Sequence, residues 1–168
     1  MEDGFDRVYL QGDVKRSGAI SGSLGTEEDG EGGELPFELE RLDAADPEEL
    51  SAAVVQALHT ENFRLLYDHA SLALRAARGG EYAEFAEEVD AGYTDELVPS
   101  GTFDVSGTEI SMSGVGREEY NVYGTDPAGD ARVFKVLTTP AREGGPYTYC
   151  EVSVEDEGEE RYVIEPNC

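Results

Sequence analysis

The chain has 168 residues, about the length of one domain, and can bury a core without metal or disulfide staples. Its 38 Asp and Glu against 12 Lys and Arg give a formal net charge of -26. The acids number 12, 12 and 14 in residues 1–45, 46–98 and 99–168, so the charge is global and does not form an interaction tail. Phosphate-backbone binding needs clustered Lys and Arg, and here the densest groups are Lys15-Arg16 and Arg75 with Arg78, so nucleic acid is not expected as a partner.

Such a chain repels itself at low ionic strength, whereas in about 1 M salt the screening distance falls to about 3 Å. Ten of the twelve bases are arginine, Lys15 and Lys135 being the exceptions. Together with abundant Ala, Gly, Val and Glu, this resembles the protein style of extremely halophilic archaea. No apolar run approaches the roughly 18 residues of a membrane span, and MEDGFDRVYL lacks a basic start followed by an apolar stretch. A cytoplasmic protein with no membrane partner is therefore expected. Cys150 and Cys168 form no metal-type spacing, and a reduced, structural Cys150 is the expectation, with a disulfide between the two possible but not indicated.

Residues 1–45 read as a short strand around Phe5, Val8 and Leu10 followed by an acidic Gly/Ser-rich loop over residues 17–34. GSLGT within it has no GK[ST], and Glu27, Glu28, Asp29 and Glu31 would repel phosphate, so it is not a phosphate loop. Leu35–Asp43 fits a strand or a helical turn equally well.

Residues 46–168 read as the main domain. Asp46 is an N-cap, Pro47 fits the first helical position, and Glu48 and Glu49 face the positive end of the helix dipole. Leu50, Val54, Ala57 and Leu58 form the buried stripe of this helix. Thr60-Glu61-Asn62 re-caps the chain. Phe63, Leu66, Tyr67, Ala70, Leu74 and Ala77 then recur at three- and four-residue steps, predicting one long helix that ends at Gly79-Gly80. Tyr82, Phe85, Ala86 and Val89 mark a shorter helix after the break. From Gly101 the period becomes two, and TFDVSG, TEISMSG, REEYNVYG, ARVFKVLTT, PYTYCEVSV and RYVIE are strand-like runs joined by short polar turns. The fold class is α+β, with two or three helices of the N-terminal half packed on a curved, mostly antiparallel sheet of about five or six strands.

A long helix, a tight break, a short helix of the form ARGGEYAEFAEEVD and then an antiparallel sheet resemble the nuclear transport factor 2-like superfamily over about residues 50–165. That resemblance implies a cone-shaped α+β fold, shared by enzymes, binding modules and dimerisation domains. In its enzymes a carboxylate inside the cone, often with a tyrosine or histidine, moves a proton. No motif places such a residue in this chain.

Tyr67-Asp68-His69 gathers three proton-handling side chains, but helical neighbours lie about 100° apart and cannot converge on one atom. His59 lies roughly 15 Å from His69 along a continuous helix, too far for a shared metal. Neither a GxSxG motif nor a cysteine in a basic setting is present, and no catalytic residue, cofactor or metal ligand is assigned. Tyr147 and Tyr149 share one face of their strand by alternation, with Cys150, Val152 and Val154 on the other, and Tyr120 and Val122 oppose Asn121 and Tyr123. Tyr67, Tyr82, Tyr120, Tyr147 and Tyr149 are thus the candidate pocket or interface residues. The expected function is a non-catalytic module binding a small ligand or a protein, with a homodimer through the sheet as one form. The alternative is a cone-fold enzyme that transfers a proton or hydrolyses a small hydrophobic molecule.

Overall fold

The computed structural model describes residues 8–14, 20–26 and 35–39 at the level of the backbone, and residues 46–143 and 145–168 with their side chains. The chain divides into two compact units, Met1–Leu42 and Asp43–Cys168.

In the first unit, β1 (Val8–Val14), β2 (Ile20–Thr26) and β3 (Leu35–Leu39) form an antiparallel meander in the order β1-β2-β3. Val8 pairs with Thr26, and Ile20 pairs with Leu39. Strand β2 therefore replaces part of the loop expected over residues 17–34. Ile20 and Leu24 stand at period-two positions, but Gly22, Gly25 and two serines dilute the pattern that would mark a strand. Phe5 and residues 27–34 lie outside the described residues.

The second unit places α1 (Pro47–His59), α2 (Phe63–His69), α3 (Leu72–Ala77) and α4 (Tyr82–Ala91) before an antiparallel sheet. Its strands, β4 (Asp104–Gly114), β5 (Arg117–Thr125), β6 (Ala131–Pro140), β7 (Tyr147–Asp156) and β8 (Glu159–Ile164), pair in chain order. This is the expected α+β arrangement. The Asp46 carboxylate accepts from the amides of Glu48 and Glu49, as the cap pattern requires, at 2.9 and 3.4 Å. Leu50, Val54, Ala57 and Leu58 of α1 are buried against the layer formed by Val122, Phe134, Val136, Val152 and Val154.

The expected long helix is broken. Ala70 takes an extended conformation and forms a bridge to Tyr149, while the Ser71 amide donates to the Tyr149 carbonyl at 2.9 Å. The Tyr149 hydroxyl donates back to the Leu66 carbonyl at 2.8 Å, and Ser71 caps α3 by accepting from the Leu74 amide. Tertiary hydrogen bonds to β7 thus replace two helical ones. Downstream, Gly79 and Gly80 have φ of +90° and +84°, the left-handed backbone that glycine favours, and the Gly80 amide closes onto the Arg75 carbonyl.

Cys150 and Cys168 are joined in a disulfide, contrary to the reduced state expected. The Asn167 amide donates to the Cys150 carbonyl and Ser71 donates to the Asn167 carbonyl, which lays the C-terminal residues along β7. Their Cα atoms stand 5.1 Å apart, within bridging range. In the chain-entropy account, closing a loop between residues 18 apart stabilises by about 3 kcal/mol.

Candidate functional site

The structure distributes the five candidate tyrosines over different surroundings. Tyr67 and Tyr82 come together, their ring centroids 5.6 Å apart edge to face, with Phe85 packed on Tyr67 and the Arg75 guanidinium 4.8 Å from its ring. The Tyr67 hydroxyl donates to the Gly80 carbonyl, so the pair fastens α2 to the turn before α4. Tyr120 is buried, and its hydroxyl donates to Glu118. Burial first, and then that bond and the charges of Glu118, Glu48 and Asp46, push the phenol well above its ordinary range. Tyr147 opens β7 opposite Pro140.

Tyr149 is fully buried and shares a side of the strand with Tyr147, as expected, but that side is the one that carries the valines and not the one opposite them. The register explains why: Val152 pairs with Val136, yet Tyr149 pairs with Thr138, two residues further along β6. A bulge between them resets the alternation and puts Tyr149, Val152 and Val154 on the same helix-covered side. Strand β5 keeps strict alternation, with Tyr120 and Val122 inward and Asn121 and Tyr123 half-exposed on the outer side.

His59 and Asp126 are among the buried polar side chains of this unit. His59 is fully buried, stacked on Phe103 with centroids 4.9 Å apart and edge-on to Phe134. Its Nδ1 is 2.8 Å from the Val55 carbonyl, which can only accept, so the proton is on Nδ1. Nε2 has no partner among the described residues. Burial lowers its pKa, and the Val55 bond and the more distant Asp126 charge oppose that only in part. Asp126 accepts from the amides of Ala128 and Asp130, both at 2.9 Å, and from Arg132 at 3.2 Å. Burial alone would raise this carboxyl, but these bonds outweigh it and hold the pKa low. Arg132 also donates to Asp156, tying the β5–β6 turn to β7.

The exposed features converge on β4. It is an edge strand, and ten of its eleven residues are exposed. Ile110 and Met112 are each 48% exposed, Val105 is 38% exposed, and Val115 stands free at the hairpin tip. Irregularities at Ser106 and Ser111 interrupt its register with β5. Pairing with the buried Gly124, Val122 and Tyr120 puts Val105, Thr108 and Ile110 on the helix side, whereas Glu109 lies opposite Asn121 on the outer side.

Between β4 and the first turn of α1 runs an open groove of about 470 Å³, lined by Asp46, Glu48, Glu49 and Ala52 across from Val105–Thr108. The Thr108 hydroxyl donates to Glu48 across it. On the outer side of the sheet, Glu109 accepts from Tyr123, and Glu160 accepts from Ser153 and pairs with Lys135. Half-burial and the neighbouring Glu119 and Glu160 raise the Glu151 pKa, which Arg117 and Lys135 offset only in part.

The sequence reading missed this edge because the two irregularities throw Val105, Ile110, Met112 and Val115 out of simple alternation. The one available signal was a run of eleven residues with only two charges, Asp104 and Glu109, in so acidic a chain. Among the described residues, no three His, Cys, Asp or Glu side chains gather as a metal donor set, and no helix is long and apolar enough to cross a membrane. No protein-family model, curated protein or solved structure matches the chain.

Proposed function

We propose that Asp43–Cys168 is a non-catalytic binding module of a salt-adapted protein, which takes up a protein partner by pairing backbone to backbone along β4. The observation that carries this reading is the long β4 edge, unpaired on one side within its sheet and flanked by exposed Val105, Ile110 and Met112. Edge strands are templates for an added strand unless they are short, highly charged, bulged or covered, and between its two irregularities β4 keeps regular pairing over Gly107, Thr108, Glu109 and Ile110. The non-catalytic part is supported by the commitment of two interior polar side chains, Asp126 to the amides of Ala128 and Asp130 and to Arg132, and the Tyr149 hydroxyl to Leu66. Helices followed by a consecutive antiparallel sheet support membership of the nuclear transport factor 2-like superfamily, where binding and dimerisation modules also occur. The global charge of -26 supports adaptation to high salt. The disulfide favours a compartment that keeps thiols oxidised over the reducing cytoplasm.

Photo-crosslinking tests the docking strand. A photoreactive residue at Met112 should give partner adducts in the native, salty milieu, whereas one at Glu87, exposed on α4, should not. Adducts from Glu87 with none from Met112 would move the binding surface away from β4.

A further inference from the structure

We infer that the partner segment is an extended peptide bearing Lys or Arg, with a basic side chain lodged in the groove between α1 and β4. This rests on β4 being the docking strand and adds the chemistry of its occupant.

A strand added to the free side of β4 continues the sheet, and its side chains alternate between the two sides. On the helix side they enter the groove that Asp46, Glu48 and Glu49 line. Three carboxylates outweigh the roughly half positive charge of the helix N-terminus, so the groove is negative. None of the three is in an ion pair among the described residues. The same field acts on Tyr120, whose phenol Glu48 and Asp46 help to hold in its protonated form. On the outer side the incoming chain meets Glu109, with Glu119 on the strand beyond. The half-exposed Ile110 and Met112 offer contact to the aliphatic stems of Lys or Arg, which cover apolar surface while keeping their charge in water.

A second copy of the chain fits this edge less well. Glu109 is the middle residue of β4, so antiparallel self-pairing about the centre of the strand sets Glu109 against its own counterpart. It also brings two chains of net charge -26 together. A cationic segment relieves both repulsions.

The test uses the full chain and three synthetic peptides in which valine alternates with lysine, serine or glutamate. Binding is followed by anisotropy and by amide exchange along β4, in about 1 M KCl, where screening reaches only about 3 Å and selectivity reports contact pairs. The lysine peptide should protect β4 amides and bind roughly fivefold more tightly than the serine peptide, the scale of two exposed ion pairs. Replacing Glu48→Gln and Glu49→Gln together should remove that advantage, while Glu87→Gln with Glu88→Gln on α4 should leave it. If the serine or glutamate peptide protects β4 as well as the lysine peptide does, the cationic occupant is wrong and β4 docking stands. If none protects β4, both readings fall.

Discussion

A neutral imidazole in an aromatic core makes His59 a proton-linked weakness in the fold. Its Nδ1–H is spent on Val55, and protonating Nε2 would leave a charged donor against Phe103 and Phe134 with nothing to receive it. The folded pKa lies below the ordinary 6.5, so the unfolded chain binds the proton first as pH falls. The contribution of neutral His59 is therefore complete above pH 6.5 and declines below it, by up to about 1.4 kcal/mol per pH unit until the folded pKa is reached. Urea unfolding at several pH values on either side of that point should show the decline in the native chain and a shallower one in His59→Leu. His69 and Glu151 titrate in both proteins, so the difference isolates His59. Equal slopes would mean that the ring reaches water.

The break between α2 and α3 shows how a neighbouring element overrides local periodicity. Ser71 accepts from the Leu74 amide as cap and donates to the Asn167 carbonyl, so one hydroxyl fixes a helix start and the C-terminal residues together. Ser71→Ala loses both bonds and should cost about 1.5 kcal/mol, which lowers the thermal midpoint by roughly 3–6 °C. An unchanged midpoint would show that the strand contact at Ala70 alone sets the break. Phe63, Leu66, Ala70 and Leu74 do have helical spacing, and no local signal betrays that Tyr149, far along the chain, will claim the backbone at Ala70 and Ser71. Local chemistry was legible where it is self-contained: the Asp46-Pro47 start, the Gly79-Gly80 stop and the period-two strands after Gly101. Bulges were not, because one inserted residue moves every later side chain to the other side. That is why the Tyr149 side, and the apolar content of β4 that makes the candidate surface, were misread or missed.

Charge acts over the entire chain, and it limits both folding and recognition. With acids in every third of the sequence and few bases to pair with them, compaction brings like charges together, and the cost falls as salt shortens their reach. The Debye length contracts from about 10 Å in 0.1 M salt to about 3 Å in 1 M, so most of the relief comes within that interval. The same contraction removes long-range attraction to a cationic partner. Discrimination is then left to groups in direct contact, such as carboxylates lining a groove beside a pairing edge. Thermal unfolding followed by circular dichroism should therefore give a midpoint that climbs steeply, by roughly 10 °C or more, between 0.1 and 1 M KCl, and more gently beyond. NaCl at equal concentration should act alike, because screening depends on ionic strength and not on the identity of the cation. A response equally steep above 1 M would instead mark salt exclusion from apolar surface as the main effect. A flat response would mean that the 38 acids do not strain the folded chain.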